Sequence, residues 1–131
     1  MPRPRSDLTE AELEVLKALW RLGPASIREL TDEVYPSGGP SHYATVQKLL
    51  ERLEAKGCVR RRRKERVNIY AASVDRAAVI EHRLRDTAKA LCDGSLTPLL
   101  THLVGTAELT RRELDELRAI VEGRRKGKAR T

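Results

Sequence analysis

The chain of 131 residues contains no phenylalanine, and its aromatic side chains are one tryptophan and three tyrosines. Its two cysteines, Cys58 and Cys92, are too few for a disulfide-rich scaffold and fit the reducing environment of the cytoplasm. No apolar run approaches the roughly 20 residues that span a bilayer, and we expect no secretory signal at the N-terminus. These absences predict a cytoplasmic globular protein whose core is aliphatic.

Residues with catalytic or metal-binding chemistry are also sparse. The three histidines, His42, His82 and His102, lie far apart in the sequence, and neither cysteine belongs to a CxxC pair. The sequence therefore lacks the spacing that is typical of metal ligands and catalytic nucleophiles. It also lacks the glycine patterns of phosphate-binding loops. We predict that the protein is not an enzyme and that it uses no metal and no cofactor.

Positive charge is abundant, with a formal net charge of +7, and it is concentrated in two short segments. Residues 58–70 carry a net charge of +5 and residues 123–131 carry another +5, whereas the rest of the chain is slightly acidic. Cations at defined positions indicate a polyanionic partner such as nucleic acid. A solvated loop and a disordered tail would give the same composition, so charge alone leaves both interpretations open.

Capping boxes and helical spacing predict three helices in the first 57 residues. The first begins at Thr9–Glu12 and the second, a short one, at Ser26–Glu29. The third is expected from about Ser41 to Lys56, with Gly57 as its cap. It has a core-facing stripe of four apolar residues at helical spacing: Val46, Leu49, Leu50 and Leu53.

Beyond Gly57 the apolar period changes to two. Residues 59–63 and 67–71 alternate around the turn residues 64–66, which predicts a β-hairpin. Three helices followed by a basic hairpin indicate a winged helix-turn-helix in residues 1–74. The predicted fold class is therefore mainly α with a small β-hairpin, and a helical region follows the DNA-binding domain.

The C-terminal half is predicted to be helical throughout. Asp75 begins a helix that runs to about Cys92, a short apolar helix covers residues 96–104, and a capping box at Thr110–Glu113 begins a last helix that ends at Gly123. We divide this half into a helical dimerisation domain, residues 75–122, and a basic disordered tail, residues 123–131.

Residues 75–122 contain more leucines than so short a segment can bury by itself. They either pack back onto the winged helix or interlock with a second copy in a twofold dimer. We favour the dimer, because DNA-binding modules of this size gain affinity by pairing on half-sites. The predicted dimer contacts are Leu84, Leu91, Leu99, Leu100, Leu103, Leu117 and Ile120.

In a helix-turn-helix, the outward face of the second helix enters the major groove. On the third predicted helix this face includes Thr45, Gln47 and Lys48, which we expect to contact thymine, adenine and guanine, respectively. A plain solvated face would carry similar residues. Contacts to the DNA backbone are predicted for nine residues at the helix and hairpin: Ser41, His42, Tyr43, Arg52, Arg60, Arg62, Arg63, Lys64 and Arg66.

A second interpretation makes the winged helix a protein–protein adaptor, whose basic hairpin docks an acidic partner. Both interpretations predict binding to polyanions at low salt, and only a DNA-reading dimer requires half-sites at one or two helical turns. An RNA-binding module is less consistent with the sequence, because Tyr35, Tyr43 and Tyr70 are too scattered to form an aromatic platform.

The sequence resembles the penicillinase repressors of the BlaI/MecI type, a family of winged-helix transcriptional regulators. The similarity extends over about residues 7–122. It is carried by LTEAELEVL at 8–16, Leu19-Trp20, SHYATV at 41–46, LERL at 50–53, Lys56-Gly57, Tyr70 and the segment from Leu109 to Ile120.

The resemblance implies a homodimeric repressor on a short inverted repeat, dimerised through its C-terminal helices. It also implies release of repression when a membrane sensor with a metalloprotease domain detects a β-lactam and the repressor is cut. Well-known members are cut at an Asn-Phe bond, and the corresponding place in this chain is His102-Leu103. By this resemblance His102 and Leu103 mark the possible cleavage region.

Overall fold

A computed structural model of the protein describes the backbone of residues 7–129 and the side chains of residues 7–127. Its elements run in the order α1 (Glu10–Leu22), β1 (Ala25–Ser26), α2 (Ile27–Val34), α3 (Pro40–Ala55), β2 (Val59–Lys64), β3 (Val67–Ala72), α4 (Arg76–Cys92), α5 (Thr97–Thr106) and α6 (Arg111–Ala129). The first six elements form a winged helix-turn-helix, so the predicted fold class is confirmed. Within the described residues, no helix combines the length and hydrophobicity of a bilayer span.

Reciprocal capping boxes begin three of these helices, as the sequence predicts. At α1, the Thr9 hydroxyl accepts from the Glu12 amide at 3.1 Å, and the Glu12 carboxylate accepts from the Thr9 amide at 2.9 Å. Ser26 and Glu29 exchange the same pair of bonds at α2, and Thr110 and Glu113 do so at α6. Each box satisfies backbone amides that the first turn of a helix leaves without partners.

The sheet is antiparallel with strand order β1-β3-β2. Strands β2 and β3 pair from Val59 opposite Ala72 to Lys64 opposite Val67. The turn is therefore shorter than the predicted residues 64–66 and consists of Glu65 and Arg66. Strand β1 pairs with β3 through only two residues, and so short a strand shows no alternation that the sequence could reveal.

The core lies between α1, α2, α3 and one face of the sheet. Its members include Leu8, Val15, Leu16, Leu30, Val46, Leu50, Leu53, Val59 and Tyr70. One charged side chain is buried with them: Glu12 is 1% exposed and forms an ion pair with Lys56 at 2.6 Å. This pair joins the start of α1 to the residue that follows α3.

The first turns of α4 pack against α1. The Trp20 indole donates to the Val74 carbonyl at 2.9 Å, and the Arg76 guanidinium lies 5.6 Å from the centre of the Trp20 ring. Farther along α4, Val79 is part of the core and Arg83 donates to the Leu8 carbonyl at 2.8 Å. The start of the predicted dimerisation region is thus attached to the winged helix.

Helix α6 continues past Gly123, where the sequence predicts its end. The segment predicted to be disordered is helical through Ala129, and residues 130–131 of that prediction lie outside the described residues. Arginine, lysine and alanine favour helices, which offsets the cost of about 1 kcal/mol for a glycine in a helix interior. An ion pair between Arg125 and Glu122 at 3.5 Å also crosses the predicted end.

Candidate nucleic-acid interface

Helix α3 separates its side chains into a buried and an exposed face. Val46, Leu49, Leu50 and Leu53 are at most 4% exposed and hold the helix against α1 and α2. The three residues predicted to read bases, Thr45, Gln47 and Lys48, are all exposed. An apolar inner face with a polar outer face is what a recognition helix needs in order to enter a major groove.

Thr45 uses its hydroxyl proton within the helix. Its Oγ1 donates to the Ser41 carbonyl at 3.0 Å, so the side chain presents a methyl group and an oxygen that can only accept. A methyl contact with thymine is therefore compatible with the geometry.

The start of α3 is open to an anion. Its N-cap is Gly39, which provides no side-chain hydrogen bond, and the first turn contains no acidic residue. Amides at a helix N-terminus favour phosphate through hydrogen bonds and the helix dipole. Gly38 and Gly39 have φ angles of 79° and 122°, which only glycine adopts without strain.

His42 is part of the scaffold of this turn. Its Nδ1 lies 2.8 Å from the Gly38 carbonyl, and its ring stacks on Tyr35 with a centroid distance of 4.2 Å. A carbonyl only accepts, so Nδ1 carries the proton and Nε2 is the nitrogen left for other contacts. The neighbouring residues predicted to contact the DNA backbone, Ser41 and Tyr43, are exposed.

Arg28 is a candidate contact that sequence reasoning missed. It lies on α2 and lines an open pocket together with Asp32, Gly39 and Tyr43. This pocket joins α2 to the start of α3, where a phosphate is expected. The sequence contains no signal for this proximity, because it depends on how the two helices pack.

The hairpin carries its cations on both faces. Val59 faces the core, so the alternation of β2 places Arg61 and Arg63 on the face toward the helices, and Arg60, Arg62 and Lys64 on the other. All of these cations are exposed, as is Arg52 on α3. Arg62 and Arg63, both predicted to contact the backbone, thus lie on opposite faces.

The tip of the hairpin is held in an unfavourable backbone conformation. Glu65 and Arg66 have φ angles of 50° and 69°, which a two-residue type I′ turn requires and which asparagine and glycine normally supply. A residue with a β-carbon is less stable in this region by about 1 to 2 kcal/mol. Because Arg66 is one of the two turn residues, it lies at the end of the hairpin.

Arg60 of the basic run donates to the Ala72 carbonyl at 3.2 Å, and Arg61 is also engaged within the domain. Its Nε lies 3.2 Å from a carboxylate oxygen of Glu54 on α3, and it pairs across the sheet with Tyr70. Tyr70 is 3% exposed. Burial raises the pKa of the Tyr70 hydroxyl, and the nearby charge of Arg61 opposes that rise.

Large aliphatic side chains are exposed along α4, α5 and α6. No residue of α5 is buried, and the described side chains of α6 are exposed throughout. Six of the predicted dimer contacts are between 38% and 76% exposed in the single chain, namely Leu84, Leu91, Leu100, Leu103, Leu117 and Ile120. The seventh, Leu99, is half-buried.

The region of possible cleavage lies in α5. His102 and Leu103 are both exposed, and the His102 carbonyl accepts a hydrogen bond from the Thr106 hydroxyl at 2.7 Å. Within the described residues, no group of three histidine, cysteine or acidic side chains comes together as a metal site.

Comparison with known families identifies the chain. A family model described as "Penicillinase repressor" matches residues 8–123, which include the winged helix and nearly all of the C-terminal helices. The chain belongs to the penicillinase repressor family. This family consists of transcriptional repressors, which are not enzymes, so the resemblance and the prediction of a repressor without catalytic activity are confirmed.

Alignments with two individual relatives cover most of the chain. It is 27% identical over 115 residues to the penicillinase repressor of Bacillus licheniformis, which covers 88% of this chain and 89% of that protein. It is 22% identical over 121 residues to the penicillinase repressor of Staphylococcus aureus, with coverages of 92% and 95%.

Two solved structures are also similar to this member of the penicillinase repressor family. The solution structure of the DNA-binding domain of the repressor BlaI shares 26% identity, with a TM-score of 0.48 and coverages of 60% of this chain and 93% of that one. A MarR family protein from Bacillus stearothermophilus shares 24% identity, with a TM-score of 0.46 and coverages of 88% and 76%.

Proposed function

We propose that the chain is a homodimeric repressor that binds an inverted-repeat operator in the cytoplasm. The observation that carries this proposal is the exposed polar face of α3 next to a hairpin with six cations among residues 60–66. Thr45, Gln47 and Lys48 read bases in the major groove. Arg52, the start of α3 and the cations of the hairpin bind phosphates, which orient the domain on the duplex.

The second copy covers the exposed leucines of the C-terminal helices. Between Ile80 and Val121, ten large aliphatic side chains are 38% exposed or more. So many exposed aliphatic side chains on consecutive helices favour an interface, and a twofold dimer covers the same residues on both chains at once. Such a dimer presents two α3 helices to half-sites about one helical turn apart or a multiple of that distance.

Proteolysis within α5 is the proposed route of release. Two relatives are named penicillinase repressors. Their names support the proposal that the regulated genes belong to a β-lactam response and that the partner is a membrane sensor metalloprotease. The His102-Leu103 bond lies in the middle of the proposed dimer surface. A cut at this bond separates α6 from the winged helix and thereby weakens the dimer and its hold on the operator.

The proposal is tested by selecting bound fragments from sheared genomic DNA of the source organism. The purified protein at a salt concentration of about 0.15 M is expected to enrich a common inverted repeat close to promoters. A neighbouring gene for a membrane metalloprotease would support release by proteolysis. Recovery of DNA without enrichment would contradict the proposal and favour the adaptor, whose basic hairpin binds any polyanion.

A further inference from the structure

An acidic residue lies at the junction of α3 and the hairpin. Glu54 is in the last turn of α3, and its carboxylate holds the Arg61 guanidinium at 3.2 Å. Arg61 lies directly opposite Tyr70 in the sheet, and Tyr70 is almost fully buried. Glu54 therefore connects α3 to a strand pair that is itself attached to the core.

This ion pair closes a short loop of chain. Strand β2 leaves α3 through residues 56–58, and the Cys58 amide donates to the Leu53 carbonyl at 2.9 Å. This bond fixes where the hairpin begins. Beyond it, β2 pairs along its length with β3, and the Glu54–Arg61 ion pair links α3 directly to β2.

Electrostatics alone would disfavour an acidic residue in this position. A carboxylate close to bound DNA repels phosphates and lowers affinity for every sequence. A positioning role predicts that Glu54 raises affinity for the operator, because the pair holds the cations of the hairpin where they reach the duplex that α3 reads. The sign of a substitution at Glu54 therefore separates the two roles.

We propose that Glu54 is a positioning residue for operator recognition, which acts through Arg61 to hold the hairpin at the angle that DNA bound to α3 requires. This inference rests on the proposed function. In this proposal, specificity depends on the match in position between α3 and the hairpin and not on the number of cations. Nonspecific DNA does not require that match, because any orientation of the hairpin finds phosphates.

The test compares Glu54→Gln with the matched control Glu51→Gln. Both variants remove one negative charge from the exposed side of α3, and within residues 7–127 Glu51 makes no ion pair. We expect Glu54→Gln to bind the selected operator about fivefold more weakly than the wild type, the coupling of a well-formed but partly exposed pair. Glu51→Gln should bind the operator as tightly as the wild type or more tightly.

A second measurement separates positioning from loss of stability. For Glu54→Gln, the log–log salt slope of operator binding should fall by about 0.9 for each phosphate contact that is lost. Its salt slope with nonspecific DNA should stay at the wild-type value. The midpoint of thermal unfolding should fall by a few degrees at most, because Glu54 and Arg61 are 38% and 51% exposed, and the protein should remain folded at the temperature of the binding assay.

The inference is overturned if Glu54→Gln binds the operator at least as tightly as the wild type with an unchanged salt slope. It is also overturned if affinity falls only in parallel with the unfolding midpoint. If the wild type does not prefer the operator over nonspecific DNA, the proposed function itself is wrong. The two failures are therefore distinguishable.

Discussion

Replacing Lys56 with methionine removes the cation from the buried ion pair between α1 and the end of α3. The Lys56 ammonium lies 2.6 Å from the Glu12 carboxylate, which is 1% exposed. It also donates to the Asp7 carbonyl at 3.0 Å. Methionine keeps an aliphatic stem of similar length, so the change leaves a charged carboxylate in the core without its counter-ion.

The expected cost follows from the burial of the pair. Removing one partner of a buried ion pair destabilises a protein by about 3 to 5 kcal/mol. Glu12 keeps the hydrogen bond from the Thr9 amide at 2.9 Å, and the Lys56 side chain is 22% exposed. We therefore expect the lower end, about 3 kcal/mol, for Lys56→Met. Glu12→Gln retains an acceptor for Thr9 and should cost less, about 1 to 2 kcal/mol.

The same pair predicts how stability depends on pH. Burial alone would raise the pKa of Glu12, but the hydrogen bonds from Lys56 and the Thr9 amide outweigh it and lower the pKa below its ordinary value. The stabilisation is therefore complete above the pKa of glutamate in the unfolded chain. It is lost as the pH falls through the lower pKa of the folded state. The stabilities of the wild type and Glu12→Gln should converge in acid.

Urea unfolding followed by the fluorescence of Trp20, the single tryptophan, measures these differences. All proteins are compared at one chain concentration, because dimerisation shifts apparent stability. The control is Lys17→Met, since Lys17 pairs with Glu14 at 3.4 Å on the surface and should change stability by at most about 0.5 kcal/mol. Equal stability of Lys56→Met and Lys17→Met would contradict the expected cost of the broken pair, and a gap between wild type and Glu12→Gln that stays constant in acid would contradict the lowered pKa of Glu12.

Three further predictions concern the dimer and the DNA. Leu100→Asp should bury a charge in the proposed dimer interface and yield a monomer with a folded winged helix; an intact dimer in sedimentation would remove Leu100 from the interface. Arg62→Ala combined with Arg63→Ala should weaken binding to all DNA about equally and lower the salt slope by up to about 1.8; loss of sequence preference at unchanged nonspecific affinity would contradict this role. Gln47→Ala should cost about 1 to 3 kcal/mol on the operator with unchanged nonspecific binding, and equal losses on both DNAs would make Gln47 a backbone contact.

Local signals in the sequence predict most of the secondary structure. A capping box involves residues only three apart, so Thr9 with Glu12 and Ser26 with Glu29 reveal where α1 and α2 begin. The stripe on α3 reveals its buried face for the same reason, since helical spacing is a local property. Stop signals are less decisive, because Gly123 lowers the stability of α6 without ending it.

Features that join distant segments could not be predicted. Glu12 and Lys56 are 44 residues apart, and the sequence does not show that the glutamate of a capping box also binds a lysine beyond α3. The pairing of Arg61 with Glu54 depends on the strand register. Arg61 and Arg63 share one face of the hairpin, so only the packing of β2 on α3 distinguishes Arg61, which pairs with Glu54, from Arg63.

Binding to operators with varied spacing between the half-sites tests the twofold dimer most directly. A twofold dimer that reads bases with α3 should lose most of its operator affinity when about 5 base pairs, half a helical turn, are inserted between the half-sites. Affinity that is independent of the spacing would contradict a dimer that reads both half-sites at once.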